Sequence, residues 1–171
     1  PNDAEGPARY DVAIMTAHTP APRRSADEQA RLDAALADLF QRRIVFNQTL
    51  GLEIESARSP EPRIRLAMRP ELVGNYFNGN LHGGVISATL DAMGGFALMV
   101  AIGEKHADES TPQVMQRFAK MSTIDLRVDY LRPGVGASFL ASAEVMRLGG
   151  RIGSTQMRLV NDQGTLIATA A

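Results

Sequence analysis

The stretch NLHGGVISATLDAMGGFALMVAIG, residues 80–103, is the least polar in the chain, yet it opens on a histidine and two glycines and carries one carboxylate, Asp91. Gly84 to Ile102 is almost long enough to cross a bilayer. A central Asp costs about 2.5–3.5 kcal/mol on insertion scales, and Ser87, Thr89 and the glycines dilute the segment further. No membrane span is expected. A helix apolar on nearly all sides is instead one buried on nearly all sides, so this segment reads as the core helix of a folded domain.

Outward from that helix, the pattern on both sides is that of strands. Ile64, Leu66 and Met68 alternate with polar or small residues, and Leu52–Ala57 precedes them across Ser59-Pro-Glu-Pro62. Beyond the helix, Ile124, Leu126, Val128 and Tyr130 alternate with Asp125, Arg127 and Asp129 up to Arg132-Pro-Gly134. Phe139–Arg147, a Gly149-Gly150 turn, Ile152–Val160, the turn Asn161-Asp-Gln-Gly164 and Thr165–Ala170 then read as an antiparallel meander. Leu72–Leu81 reads as a loop, and 104–120 as a polar, irregular connection with some helix. Ser25-Ala-Asp-Glu28 is a capping-box pattern, and Leu32, Leu36, Leu39, Phe40 and Ile44 continue it at helical spacing to about residue 47. Residues 1–24, with Pro1, Pro7, Pro20 and Pro22, read as a flexible tail with a short ordered piece at Tyr10–Met15. Residues 25–171 therefore form one α+β domain, an antiparallel sheet wrapped around a long apolar helix with an extra N-terminal helix packed outside.

Composition narrows the chemistry. A net charge of -1 gives no reason to expect nucleic acid or an anionic membrane as partner. No cysteine is present, which excludes a disulfide framework, a thiol nucleophile and a thiolate metal site. His18, His82 and His106 lie far apart in sequence, so no histidine metal site is expected. The first residues carry no apolar leader pattern, and cytoplasm is the expected compartment.

The chemistry-bearing residues sit on the apolar stretch itself. His82-Gly83-Gly84 directly before a helix leaves free backbone N–H groups with about half a unit of positive charge. The glycines let a carbonyl oxygen approach them closely, as an oxyanion hole requires; they would equally let helix and sheet pack tightly. Asp91 lies seven residues after Gly84, on nearly the same face and about 10 Å further along. An ionisable group on such a helix is costly unless it is paired or used. A structural Asp bonded to loop amides is one reading, and a general base or nucleophile is the other. If both parts are catalytic they cannot serve one carbonyl within a single chain, because an attacking group must come within about 3–3.5 Å of the carbon. A two-fold homodimer, the hole of one subunit facing Asp91 of the other, is then required. Whether dimers pair into tetramers stays open.

Gly74-Asn75, Leu81-His-Gly-Gly-Val-Ile86 with Leu90-Asp91, Thr123-Ile-Asp-Leu126 and Asp129-Tyr-Leu-Arg-Pro-Gly134 together resemble the hotdog-fold acyl-CoA thioesterases, in the branch of the phenylacetate-pathway and mitochondrial enzymes and the bacterial medium- and long-chain ones. The resemblance covers roughly residues 40–171 and implies hydrolysis of acyl-CoA to free acid and CoA. It implies Asp91 as the catalytic carboxylate, acting on water or directly, and Gly83 as the N–H that polarises the carbonyl. His82 would orient the loop or the thioester. Asn75 best fits an assisting asparagine, with Asn78 and Asn80 competing. Thr123, with Ser122 as fallback, matches a hydroxyl that positions water. Gly84 belongs to the same carbonyl-binding turn. Arg132, Arg147 and Arg151 are candidates for the phosphates of CoA, since guanidinium forks suit phosphate, although solvated turn arginines look the same in sequence. No metal or cofactor is implied beyond the CoA of the substrate. Two other functions share the fold: an acyl-CoA-binding sensor, which would not need Asp91, and a hydratase or dehydratase, which would need a working His–carboxylate pair that the spacing of His82 and Asp91 disfavours.

Overall fold

The computed structural model describes residues 23–171, so all but the last two residues of the expected tail, and the piece at 10–15, lie outside the described residues. Helix α1 (Ala26–Asp38) starts where expected: the Ser25 hydroxyl accepts the Glu28 N–H at 3.2 Å. The reciprocal half of the capping box is not made. Glu28 turns away to accept the Thr111 N–H at 2.6 Å and to pair with Arg31. The Thr111 amide, then the Thr111 hydroxyl and the Arg31 guanidinium, pull its carboxyl down to about 2. One carboxylate thus ties the start of α1 to the start of another helix. Just ahead of α1, Arg24 donates to the carbonyls of Gly103 at 2.5 Å and His106 at 2.6 Å, which closes the far end of the central helix.

The expected single helix to residue 47 is interrupted. Leu39–Arg43 is a π-turn, Ile44 is extended, and α2 (Val45–Leu50) follows, ending at Gly51 with φ 74. The extra residue in the turn frees the Phe40 carbonyl, which accepts from buried Asn47 Nδ2 at 3.0 Å, and seats the Phe40 ring against Phe96 with centroids 4.9 Å apart.

Strands β1 (Leu52–Ser56) and β2 (Arg63–Ala67) follow, then a short hairpin of β3 (Val73–Asn75) and β4 (Asn80–Leu81) where a loop was expected. Helix α3 (Gly83–Lys105) comes next, and a turn leads to α4 (Thr111–Phe118), more ordered than the irregular connection expected there. The reason lies in the Ser110–Gln113 capping box and in Val114 and Phe118, which are buried in the core. Strands β5 (Val128–Tyr130), β6 (Ser138–Leu148), β7 (Gly153–Asn161) and β8 (Leu166–Ala170) complete a six-stranded sheet of order β1-β2-β6-β7-β8-β5, antiparallel at every pairing. The meander β6-β7-β8 is as expected. The alternating run 124–130 is strand only at its end, Val128–Tyr130, which pairs with β8; Ile124 is left 78% exposed.

The central helix lies across this sheet. Leu90, Met93 and Phe96 are wholly buried, so α3 is a core helix although it is long and apolar enough to cross a membrane. It is not buried all round. Its opposite face, Ala88, Asp91, Ala92, Gly95, Met99 and Ile102, is only half-covered and floors a groove. That face explains how a carboxylate can sit in the greasiest segment: Asp91 points out of the core, not into it.

Candidate active site

Asp91 is carried on the groove face of α3, and the Thr123 hydroxyl donates to its Oδ1 at 2.7 Å. Ser122 and Thr123 both line the groove, which encloses about 1830 Å³. Its apolar walls come from Met99 and Ile102 on α3, Ile44 and Phe46 at the start of α2, and Met146 and Ile152 beside the β6–β7 turn. Arg151 stands on its rim, whereas Arg147 lines neither this groove nor the second cavity.

That second cavity, of about 570 Å³, lies at the N-terminus of α3 and is lined by Asn75, Asn80, His82, Gly83, Tyr130 and Arg132 among others. His82 is the N-cap of α3, and its Nδ1 accepts the Gly84 N–H at 2.8 Å. The His82 carbonyl accepts from Val85 and Ile86 at 2.9 and 3.1 Å, which pins the plane of the His82–Gly83 peptide. The N–H at the other end of that plane, on Gly83, has no hydrogen-bond partner among the described residues. Of the two glycine donors expected, Gly84 is therefore occupied and Gly83 is the one left free among the described residues.

The loop is held by close approaches that sequence reasoning did not find. A Cβ at Gly74 would lie 2.7 Å from His82 Cα, and one at Gly134 would lie 2.8 Å from Leu81 Cβ. The Leu81 N–H bonds to the Gly134 carbonyl at 2.9 Å, and the His82 N–H to the Leu72 carbonyl at 2.8 Å. Tyr130 was also missed: its hydroxyl donates to the Gly83 carbonyl at 3.1 Å. The only signal available for Gly74, Tyr130 and Gly134 was membership of the two motif runs that contain them.

The remaining candidates divide unevenly. Asn75 is exposed, its Oδ1 turned back to accept the Phe77 N–H at 3.1 Å. Asn80 is half-buried, and its Oδ1 is one of three buried side-chain atoms without a partner among the described residues. Arg132 spends one fork nitrogen on the Leu166 carbonyl at 2.9 Å. The carboxylate and the free amide belong to separate cavities, about 12 Å apart along one helix. His82, with Nδ1 engaged and in the other cavity, is no partner for Asp91 within a protomer, which counts against hydratase chemistry there.

The family description of the thioesterase superfamily matches residues 78–168, from the β3–β4 turn to the middle of β8. The chain belongs to the thioesterase superfamily. It is 35% identical over 135 residues to the medium/long-chain acyl-CoA thioesterase YigI of Escherichia coli, covering 79% of this chain and 87% of that protein. Among solved structures, a thioesterase-superfamily protein of Shewanella oneidensis superposes with TM-score 0.77 at 36% identity, covering 83% of this chain and 93% of that one. The PaaI protein of the Escherichia coli phenylacetic acid degradation operon, at 17% identity and TM-score 0.62 over 82% and 89% of the chains, shares the fold alone. The fold is the hotdog, with the sheet as bun and α3 as filling.

Proposed function

We propose that this chain hydrolyses acyl-CoA thioesters to free acid and CoA in a homodimer, each site using the Gly83 N–H of one protomer and Asp91 of the partner subunit. The observation that carries the reading is the pairing on one helix of an unpartnered N-terminal amide and a carboxylate held by a hydroxyl, each opening on its own cavity. The thioester oxygen accepts from the Gly83 N–H, where the helix terminus favours developing negative charge. Thr123 occupies one lone pair of Asp91 Oδ1, which orients the carboxylate to take the proton of a water attacking the carbonyl carbon. The C–S bond then breaks and the thiolate leaves with the electron pair, a good leaving group that needs little protonation. No cofactor enters these steps.

Ile124, next to Thr123 in the irregular segment before β5, is exposed and would offer a second copy an apolar contact near Asp91. The YigI relative acts on medium and long chains, and the wall of Ile44, Phe46, Met99 and Ile102 suits an acyl chain of that class. Arg151 on the groove rim and Arg132 at the second cavity are the arginines we assign to the CoA phosphates, because each lines one of the two cavities.

Thiol release from acyl-CoAs of graded length tests the reading. Hydrolysis should rise from short to medium and long chains, and Asp91→Asn, which keeps an acceptor for Thr123, should lower kcat by about 10²–10⁴, the span of general-base catalysis. Tight binding without turnover in the parent would instead identify a sensor.

A further inference from the structure

Two consecutive peptide planes form the turn before α3, the first anchored at its oxygen and the second at both ends. The first is fixed through the His82 carbonyl and presents the Gly83 N–H. The second, Gly83–Gly84, has the Tyr130 hydroxyl on its oxygen at 3.1 Å and His82 Nδ1 on its N–H at 2.8 Å. Gly83 opens α3, so its carbonyl already lies in the helix's i→i+4 ladder; the Tyr130 hydroxyl is a second donor on that oxygen, and because a trans peptide is planar the two together fix the direction of the Gly84 N–H. A hydrogen bond to the carbonyl also polarises the amide and makes that N–H a stronger donor. The chain runs Tyr130 O–H to Gly83 C=O, then Gly84 N–H to His82 Nδ1.

The far end of this chain has a chemical consequence. A nitrogen that accepts an N–H carries a lone pair, so neutral His82 bears its proton on Nε2. A Cβ at Gly84 would lie 3.0 Å from Nδ1 and one at Gly74 would lie 2.9 Å from Cδ2, so the imidazole sits in space that two glycines leave open. Nε2–H is then the one donor the imidazole can offer within the cavity it shares with Gly83.

We propose that Tyr130 is a positioning residue: its hydroxyl orients the Gly83–Gly84 peptide, which holds His82 as the Nε2–H tautomer and gives the thioester oxygen a second donor beside the Gly83 N–H. The inference rests on the carbonyl binding at Gly83 proposed above. Tyr130 stands at the end of β5, opposite Ala168 of β8, so the sheet sets where its hydroxyl falls.

Long-range ¹⁵N–¹H correlation spectra of the intact protein, at a pH where histidine is neutral, report the tautomer directly, with His82→Gln identifying the resonances. The parent should show an unprotonated Nδ1 and a protonated Nε2. Tyr130→Phe should show a mixture and lower kcat for acyl-CoA by about two- to tenfold, the worth of one net hydrogen bond, with little change in KM. Tyr130→Leu separates hydroxyl from ring: the two variants should share the tautomer mixture. A His82 spectrum unchanged in Tyr130→Phe overturns the relay whatever the activity does, and a changed spectrum with parental kcat overturns its part in turnover. A parent that shows the tautomer but hydrolyses no thioester would count against the function, not against the relay.

Discussion

Replacing Gly83 by proline removes one atom group that matters and very little else. Gly83 is the first residue of α3, the helical position proline favours, and His82 before it has φ -64 and ψ 136, a conformation that a following proline accepts. A Cβ there would meet the Tyr130 ring at 3.5 Å, an ordinary contact, and the Gly83 N–H bonds to nothing among the described residues. Stability should hold or rise by about 0.4–1 kcal/mol through the stiffer unfolded chain. Activity should not. Loss of one oxyanion donor is worth about 2.7–4 kcal/mol, or roughly 10²–10³ in kcat. Gly83→Ala, which keeps the N–H and adds the same Cβ, is the control and should stay near the parent. Thiol release at saturating acyl-CoA, with thermal melting in parallel, reads both quantities. A proline variant that melts like the parent and keeps kcat within about threefold of it refutes the role assigned to the Gly83 amide.

Co-expression of Gly83→Pro with Asp91→Asn asks whether the two halves meet across subunits: half the dimers are mixed, each with one intact site, so about a quarter of parental activity should return, and none should if each site belongs to one chain. Gly74→Ala forces a Cβ to within 2.7 Å of His82 Cα, and should cost about 1–3 kcal/mol in chemical denaturation and lower kcat as well. Glu28, with its carboxyl pulled from 4.5 to about 2, stabilises the fold fully above the unfolded value. The gap in melting temperature between the parent and Glu28→Gln should therefore be widest above pH 4.5 and close as pH falls toward 2; a gap independent of pH would contradict the ionised link to Thr111.

The parts legible in the sequence are those whose pattern needs no distant partner. Ile64 and Leu66 alternate with arginines because one sheet face is buried, and the apolar run after Gly84, diluted by Asp91 and its glycines, read as a core helix rather than a membrane span. The π-turn at Leu39–Arg43 was hidden, since its cause is the fit of Phe40 against Phe96 and of Asn47 against a freed carbonyl, contacts made after the helix has packed. Helix α4 was obscured by a polar surface around only two core residues, Val114 and Phe118. At the site, the spacing of Gly84 and Asp91 is a property of the helix itself and was readable. The Thr123 hydroxyl on Asp91 spans 32 positions and Tyr130 on Gly83 spans 47. Resemblance suggested the first, and nothing in the chain announced the second.

The turn that carries the imidazole owes its shape to absent atoms at Gly74, Gly84 and Gly134, while the groove facing Asp91 is walled by ordinary apolar side chains of varied size. Mutation can therefore only crowd the one, but can enlarge, shrink or reshape the other at small cost to the fold. A lineage built on this scaffold would be expected to explore new acyl groups by redecorating the walls, with its reactive turn frozen by geometry.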